Sequence, residues 1–220
     1  MKTFFDIIKD VSNLRWSIVD PEPESFAEVQ KAVKLAVAQA HNYIWNLDDF
    51  PFKVKKDATF INGGENTVLA PKGNIMRVFV DGASKELQQI VAQDADFLAP
   101  KNGTPEFYWV EFTDEGAIIK VYPTPKERTT IVVRYVSNMK AKDSAGNLKH
   151  NLENMDDVLN LPNDKSIEDL YLQCLNLKSM VYLVADETDE NYKPYEKEFL
   201  EAYKGLLKLT GVKVEPRLVI

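Results

Sequence analysis

An α+β fold, with a helical body, an antiparallel β-rich lobe and an extended C-terminal tail, is what the sequence predicts. Three observations predict it. Apolar residues recur every three or four positions near both ends of the chain, as on one face of a helix. Between those stretches they alternate with polar residues, or run together briefly between Gly, Pro and acidic turn residues, as in strands. The last nine residues, Val212 to Ile220, alternate and then end apolar, with no place in either pattern.

Taken in order, Phe4, Ile8, Val11 and Leu14 fall on one face of an N-terminal helix. Pro21 and Pro23 interrupt it, and Ser25-Phe26-Ala27-Glu28 forms a capping box for a second helix. That helix carries Phe26, Val29, Val33, Val37, Ala40 and Ile44 at helical spacing and ends near Trp45 to Leu47. From Phe52 the period becomes two, with Phe52, Val54 and Ala58 alternating with Lys53, Lys55 and Asp57, so a half-exposed strand is expected. Turns at Asn62 to Asn66 and Pro71 to Asn74 bracket a short strand at Thr67 to Ala70, and Ile75 to Val80 is another, closed by Asp81-Gly82. Leu87, Ile90 and Val91 suit a short helical turn.

The stretch from Gly103 to Val136 reads as the sheet core. Phe107 to Phe112 and Ala117 to Tyr122 are joined by a short loop ending in Gly116, and Thr129 to Val136 follows Pro123 and Pro125; the simplest arrangement is an antiparallel meander. Residues 140–151 are polar and contain Asp143-Ser144-Ala145-Gly146-Asn147, which predicts an exposed loop, and Leu152 to Leu161 has the spacing of a short helix or turn. Ser166-Ile167-Glu168-Asp169 offers an N-cap to a helix with Ile167, Leu170, Cys174, Leu177, Val181 and Val184 on one face. After the acidic turn at Asp186 to Asn191, Tyr192, Tyr195, Phe199, Ala202, Leu206 and Leu209 define a last helix, antiparallel to the one before and capped by Gly211. The organisation expected is therefore 1–47 as N-terminal helices, 48–139 as the β-rich lobe, 140–151 as a loop, 152–211 as C-terminal helices and 212–220 as an arm.

Composition limits the functional classes. A chain of 220 residues with 45% hydrophobic and 28% charged content can bury a sizeable core. Its longest apolar runs are far below the roughly 18 residues that span a bilayer, and the start acquires Asp6, Lys9 and Asp10 too early for a secretory leader, so no membrane partner is expected. A single cysteine, Cys174, excludes an internal disulfide and a multi-cysteine metal site, and fits synthesis in a reducing cytoplasm. The net charge of −7 argues against a general phosphate-binding surface.

Reactive groups are few. His41 lies in the second helix and reads as structural; His150 lies in the polar loop and reads as solvated. Cys174 falls on an apolar helix face, where a thiol is inert. Gly63-Gly64 lacks the Lys-Ser or Lys-Thr of a phosphate loop and reads as a turn. The acidic pairs Asp48-Asp49, Asp156-Asp157 and Asp186-Glu187 sit near element ends, where acids cap helices or face water. Phe107, Tyr108 and Trp109 lie beside Glu106 and Glu111 and suit packing better than base stacking. No catalytic, cofactor-binding or metal-binding residue is expected. The candidate site is the C-terminal arm, where Val212, Val214, Arg217, Leu218, Val219 and Ile220 form a segment suited to docking on a partner.

The order of several signals carries more than any of them singly. A helix ending at Trp45 leads to Asp49-Phe50-Pro51-Phe52, then Leu69-Ala70-Pro71, the strand Ile75 to Val80, Gly103-Thr104-Pro105 with its aromatics, Tyr122-Pro123-Thr124-Pro125, a strand ending Arg134-Tyr135, and Pro162-led helices. This order, over most of the chain, resembles the head-to-tail adaptor (connector, or head-completion) proteins of tailed bacteriophages. The resemblance implies a structural ring subunit and no enzyme. It implies a homo-oligomeric ring, dodecameric, below the portal protein, with a tail or nozzle protein on its other side. Genomic DNA would pass through the exit channel without sequence-specific binding. The place implied is the head–tail junction of the virion, after synthesis in the host bacterial cytoplasm. The helices Ser25 to Trp45 and Ser166 to Leu209 would pack subunits, the sheet from Phe52 to Val136 would face the next tail component, and the arm would lock onto portal or neighbour. A neck or tail-completion ring that never touches the portal, a cell-wall hydrolase using paired carboxylates and a DNA-binding module are the other readings.

Overall fold

The computed structural model describes residues 2–16, 27–114, 116–184 and 192–212. The elements run in chain order α1 (Phe4–Trp16), α2 (Ala27–Leu47), a single 3-10 turn (Pro51–Lys53), β1 (Val54–Ile61), β2 (Thr67–Leu69), β3 (Gly73–Val80), β4 (Gln88–Gln89), α3 (Ala92–Ala95), β5 (Phe107–Thr113), β6 (Gly116–Tyr122), β7 (Thr129–Ser137), β8 (Ala141–Lys142), β9 (Leu148–Lys149), β10 (Val158–Leu159), α4 (Lys165–Leu183) and α5 (Tyr192–Thr210). The class is α+β. The chain divides into a helical unit, Met1–Phe52 with Met139–Ile220, and a β unit, Lys53–Asn138, so residues 48–52 belong with the helices.

In the helical unit, α1 begins on a reciprocal cap that periodicity does not reveal. The Asp6 carboxylate accepts from the Thr3 N–H at 2.9 Å, and the Thr3 hydroxyl oxygen accepts from the Asp6 N–H at 3.2 Å. Phe4, Ile7, Ile8 and Val11 are buried, whereas Leu14, expected on that face, is exposed. In α2 the buried face is Val33, Val37, Ala40 and Ile44, as the spacing predicts; the capping residues Ser25 and Phe26 lie outside the described residues. The cap of α4 is Asp164 instead of Ser166, its carboxylate accepting from the Ser166 N–H at 2.9 Å and the Ile167 N–H at 3.3 Å. Tyr171, Leu175 and Lys178 of α4 are buried as well as the predicted Cys174 and Val181, so this helix is covered on more than one face.

Helices α4 and α5 run antiparallel, with Gly205 opposite Leu170 and Lys178 opposite Phe199. Lys178 is buried with its Nζ over the rings of Tyr43 at 4.4 Å, Tyr182 at 5.2 Å and Phe199 at 5.2 Å, so aromatic faces take the place of water around the ammonium. A side-chain carbon at Gly205 would meet only Leu170 Cδ2, at 3.6 Å. Gly205→Ala is therefore expected to stabilise α5 by about 0.5–1 kcal/mol and raise the thermal midpoint by about 2 °C. A lower midpoint would mean that Leu170 cannot accept the methyl.

In the segment leading into α4 one expectation is corrected and another is narrowed. Residues 140–151 are a β hairpin with a tight turn, not a loop: β8 pairs with β9 and also with β10, and Ala141 is fully buried. Only the Asp143–Asn147 turn survives, held by the Asn147 N–H donating to Asp143 Oδ1 at 2.7 Å. Of the helix or turn expected in Leu152 to Leu161, the turn is present, closed by the Asp157 N–H donating to the Asn154 carbonyl at 3.1 Å, and it leads into β10, where Val158 also bridges to Thr3. These strands are two residues each, too short to leave a period in the sequence.

The β unit is two sheets, of order β1-β7-β3 and β2-β6-β5-β4, facing each other across Ile61, Val68, Val78, Leu87, Tyr108, Ile119, Val121, Ile131, Val133 and Tyr135. Strands β5 and β6 form the expected hairpin, with Thr113 opposite Gly116. The third strand of the expected meander does not join them. The free edge of β6 is taken by β2, and β7 lies instead between β1 and β3. Ile131, Val132, Val133, Tyr135 and Val136 are all buried, a load on both faces that suits a central strand better than an edge. Gly73 makes that packing possible: a side-chain carbon there would lie 2.2 Å from the Val136 carbonyl oxygen. Strand β1 departs from its predicted alternation, since all but its two end residues are exposed while Lys53, before it, is buried. The expected turn at Leu87 to Val91 is β4, paired parallel to β5, with Leu87 buried and Val91 exposed.

Candidate interaction surfaces

The predicted arm starts from a fixed point. Helix α5 ends at Thr210, whose hydroxyl donates to the Leu206 carbonyl at 2.8 Å. Gly211 then takes φ of 70°, its N–H donating to the Lys208 carbonyl at 3.3 Å, and the Val212 N–H reaches back to the Leu207 carbonyl at 3.0 Å. These two bonds are the Schellman pattern, and its usual hydrophobic contact is made by Val212, half-buried against the helical core. Of the candidate partner-binding residues, Val212 is thus packed on its own unit; Val214, Arg217, Leu218, Val219 and Ile220 lie outside the described residues.

The reactive groups are engaged in structure. His41 is buried, its Nδ1 accepting from the Tyr171 hydroxyl at 2.9 Å and its Nε2–H donating to the Lys140 carbonyl at 3.2 Å. Burial lowers its pKa to about 4, against the weaker raising effect of the Lys140 carbonyl, so the ring is neutral at pH 7 and ties α2 to α4. The thiol of Cys174 is fully buried and pushed up to about 12 by that burial, which removes its nucleophilic form. His150 is exposed.

The carboxylate pair Asp156-Asp157 is split by its surroundings. Asp156 is exposed, while Asp157 is buried and accepts from Lys149 Nζ at 2.8 Å and from the N–H groups of Glu153 at 2.7 Å and Asn154 at 2.8 Å. Burial alone would push its carboxyl up, but Lys149 and the two N–H donors outweigh it and hold it below the usual carboxylate range. Its backbone carbonyl accepts from the Phe4 N–H at 2.7 Å, so this turn also anchors the start of α1. Asp48 accepts a short hydrogen bond from the Tyr203 hydroxyl, and Asp186-Glu187 lies outside the described residues.

Two of the β5 aromatics are packing residues. Tyr108 and Trp109 are buried, the Trp109 indole N–H donating to Glu111 at 2.7 Å, and Glu111 also pairs with Lys120 at 2.8 Å. Gly63-Gly64 is a turn whose Gly64 N–H donates to the Pro125 carbonyl at 2.8 Å. A side-chain carbon at Gly63 would meet the Lys126 carbonyl oxygen at 2.2 Å, so the loop lies directly against the Pro-rich segment. Among the described residues no group of His, Cys, Asp and Glu is arranged to hold a metal ion, and no helix is long and apolar enough to cross a membrane.

Two surface features of the β unit were not anticipated. Phe97 and Phe112 are 88% and 87% exposed, and Phe60, Leu69 and Val91 are each more than 60% exposed. Phe112 stands at the tip of the β5–β6 hairpin, and Phe60 lies under the Arg128 guanidinium at 4.3 Å. The second is a row of cations. The register aligns Lys56 of β1 with Arg134 of β7 and Arg134 with Arg77 of β3, so the three share one level of the outer sheet face. With Lys85 and Phe79 they line an open concavity of about 580 Å³. Only Glu86 opposes them there, 3.7 Å from Arg77, and Lys56 lies 5.7 Å over the Phe79 ring. No carboxylate of the described residues reaches Arg134 or Lys56 within ion-pair range. Nothing in the local sequence marks this row; it exists only once the strand register is known.

No family model matches the chain, and no curated protein matches it.

Proposed function

We propose that this protein is a structural subunit of the head-to-tail adaptor ring of a tailed bacteriophage, binding the portal on one side and a tail or nozzle component on the other. The observation that carries the reading is the set of large apolar side chains, Phe60, Leu69, Val91, Phe97 and Phe112, that the β unit holds in water. A chain that spends its life alone gains nothing from them, whereas a partner that covers them recovers about 25 cal/mol for each Å² removed from water. The proline- and aromatic-bearing segments that carry the resemblance support the same reading through their place in the fold. Phe50 and Phe52 stack at 5.1 Å and pack on Trp45, Tyr171 and Tyr203, so the turn closes the helical core at the residue where the β unit begins.

The role requires no reaction. The subunit packs against copies of itself, surrounds the DNA exit channel and holds two larger assemblies together. The C-terminal arm, leaving α5 at the Gly211 stop, supplies the lock on portal or neighbour. The test is mass measurement and negative-stain imaging of the purified protein, alone and mixed with the portal ring of the same virus. Rings seated on the portal are the expected result, and removal of residues 213–220 is expected to abolish or sharply weaken that association. A protein that stays monomeric and unbound in the presence of portal is not a portal adaptor.

A further inference from the structure

The distribution of charge along the chain has a sharp division. The β unit contains eleven Lys and Arg and eleven Asp and Glu, and is neutral; the helical unit contains sixteen and twenty-three, and holds the whole excess of −7. Within the helical unit the imbalance is concentrated further. The stretches 17–26 and 185–191 contain seven acids and no base. The denser one is Asp186-Glu187-Thr188-Asp189-Glu190, four carboxylates in five residues.

The cation row of the β unit is the converse. Adjacent strands lie about 4.8 Å apart, so Lys56, Arg134 and Arg77 stand in a line about 10 Å long, with Lys85 beside it. Like charges directly opposite one another weaken a sheet, and Arg134 has a cation on each side with no acid between. Such an arrangement is stabilised when an anionic segment lies across it. A five-residue stretch can extend to about 17 Å, enough to cover the line, and its four carboxylates match the charge left by the five cations of the concavity, Lys55, Lys56, Arg77, Lys85 and Arg134, after its one acid, Glu86.

We propose that the outer face of the β1-β7-β3 sheet, centred on Arg134, binds the acidic stretch Asp186 to Glu190 of a second copy of this chain. This contact rests on the ring reading above and specifies how one copy recognises the next. It is a head-to-tail contact between unlike surfaces, the kind that repeats around a ring and closes when the rotation allows. Its charges bring subunits together quickly at low salt and lose strength as ionic strength rises.

The test is a directed cross-link between two tagged variants, Arg134→Cys in one preparation and Glu187→Cys in another. The native Cys174 is fully buried and stays out of the exchange. Mixed under mild oxidation, free and on the portal, the two are expected to form a disulfide heterodimer at least tenfold faster than Arg134→Cys mixed with Lys204→Cys, and 0.5 M NaCl is expected to remove the advantage. Arg134→Glu is expected to weaken self-association about tenfold in sedimentation, and pairing it with Asp186→Lys and Glu187→Lys is expected to restore it. No preference over the Lys204→Cys control overturns the proposal. A disulfide that forms only within one doubly substituted chain at high dilution also overturns it, placing the stretch on its own β unit. Binding of a short DNA duplex that Arg134→Glu abolishes, without the cross-link, overturns it in favour of a nucleic acid. Rings on the portal that Arg134→Glu leaves intact refute this contact and keep the ring reading; a cross-link without portal binding does the reverse.

Discussion

Phe50→Ala is expected to cost about 4 kcal/mol of folding free energy. The ring is fully buried, stacks at 5.1 Å and 7° on Phe52, and meets Tyr203 edge-on at 6.2 Å. Truncation loses the transfer free energy of the ring, leaves a cavity beside two aromatics and removes their partner. Pro51 between the two phenylalanines fixes φ there, so the backbone is poorly able to collapse into the space. Urea unfolding followed by tryptophan fluorescence measures the loss, since Trp45 lies 5.9 Å from Phe52. A loss below about 1.5 kcal/mol would mean that Phe52 swings in to refill the site, and the turn would then be a replaceable connector.

Acidification from pH 6.5 to 4 is expected to remove about 3 kcal/mol through His41 alone. An unfolded histidine titrates near 6.5, whereas burial holds His41 at about 4 in the fold. Above pH 6.5 the ring is neutral in both states and its contribution is complete. Between 6.5 and 4 the unfolded chain takes up a proton that the folded chain does not, so stability falls by up to about 1.4 kcal/mol per pH unit. Below 4 both states are protonated and His41 adds nothing further. The measurement is the urea midpoint between pH 7 and 4 for the parent and for His41→Gln. The parent is expected to lose more than the variant, and equal slopes would show that the ring protonates freely in the fold. Carboxylates held below their usual range, such as Asp157, lose their stabilisation on further acidification, and they do so in both proteins.

The sequence made the long helices visible because each buries a continuous face. Val33, Val37, Ala40 and Ile44 of α2 lie inside because a 3.6-residue period leaves them no other side. The strands were visible as segments and not as a sheet. β7 is apolar on both faces, and that load says it is central without saying between which strands; the answer depended on Thr67–Leu69 occupying the free edge of β6. The cation row depended on the same register and was hidden for the same reason. Lys53 was misread, and the burial of Lys178 was invisible, because a charged residue scores as exposed whatever lies around it. The Tyr43, Tyr182 and Phe199 rings around Lys178 come from three separate stretches of chain. Of the candidate arm, the sequence supplied the residues and the stop at Gly211, a residue whose left-handed backbone costs little only without a side chain, and the fold adds that Val212 packs back on the helical core.

The division of the chain into one continuous unit and one split unit has a consequence for biosynthesis. Every strand of Lys53–Asn138 pairs within that stretch, so on the ribosome the β unit has all of its partners as soon as Asn138 emerges. The helical unit does not. α2 must wait for α4, and His41 for Tyr171, which follows it by 130 residues. At about 5–20 residues per second the nascent chain carries the apolar surfaces that α1 and α2 turn toward α4 uncovered for several seconds. Those faces are where a chaperone would bind, and a pause in translation between residues 138 and 165 would prolong their exposure without touching the β unit.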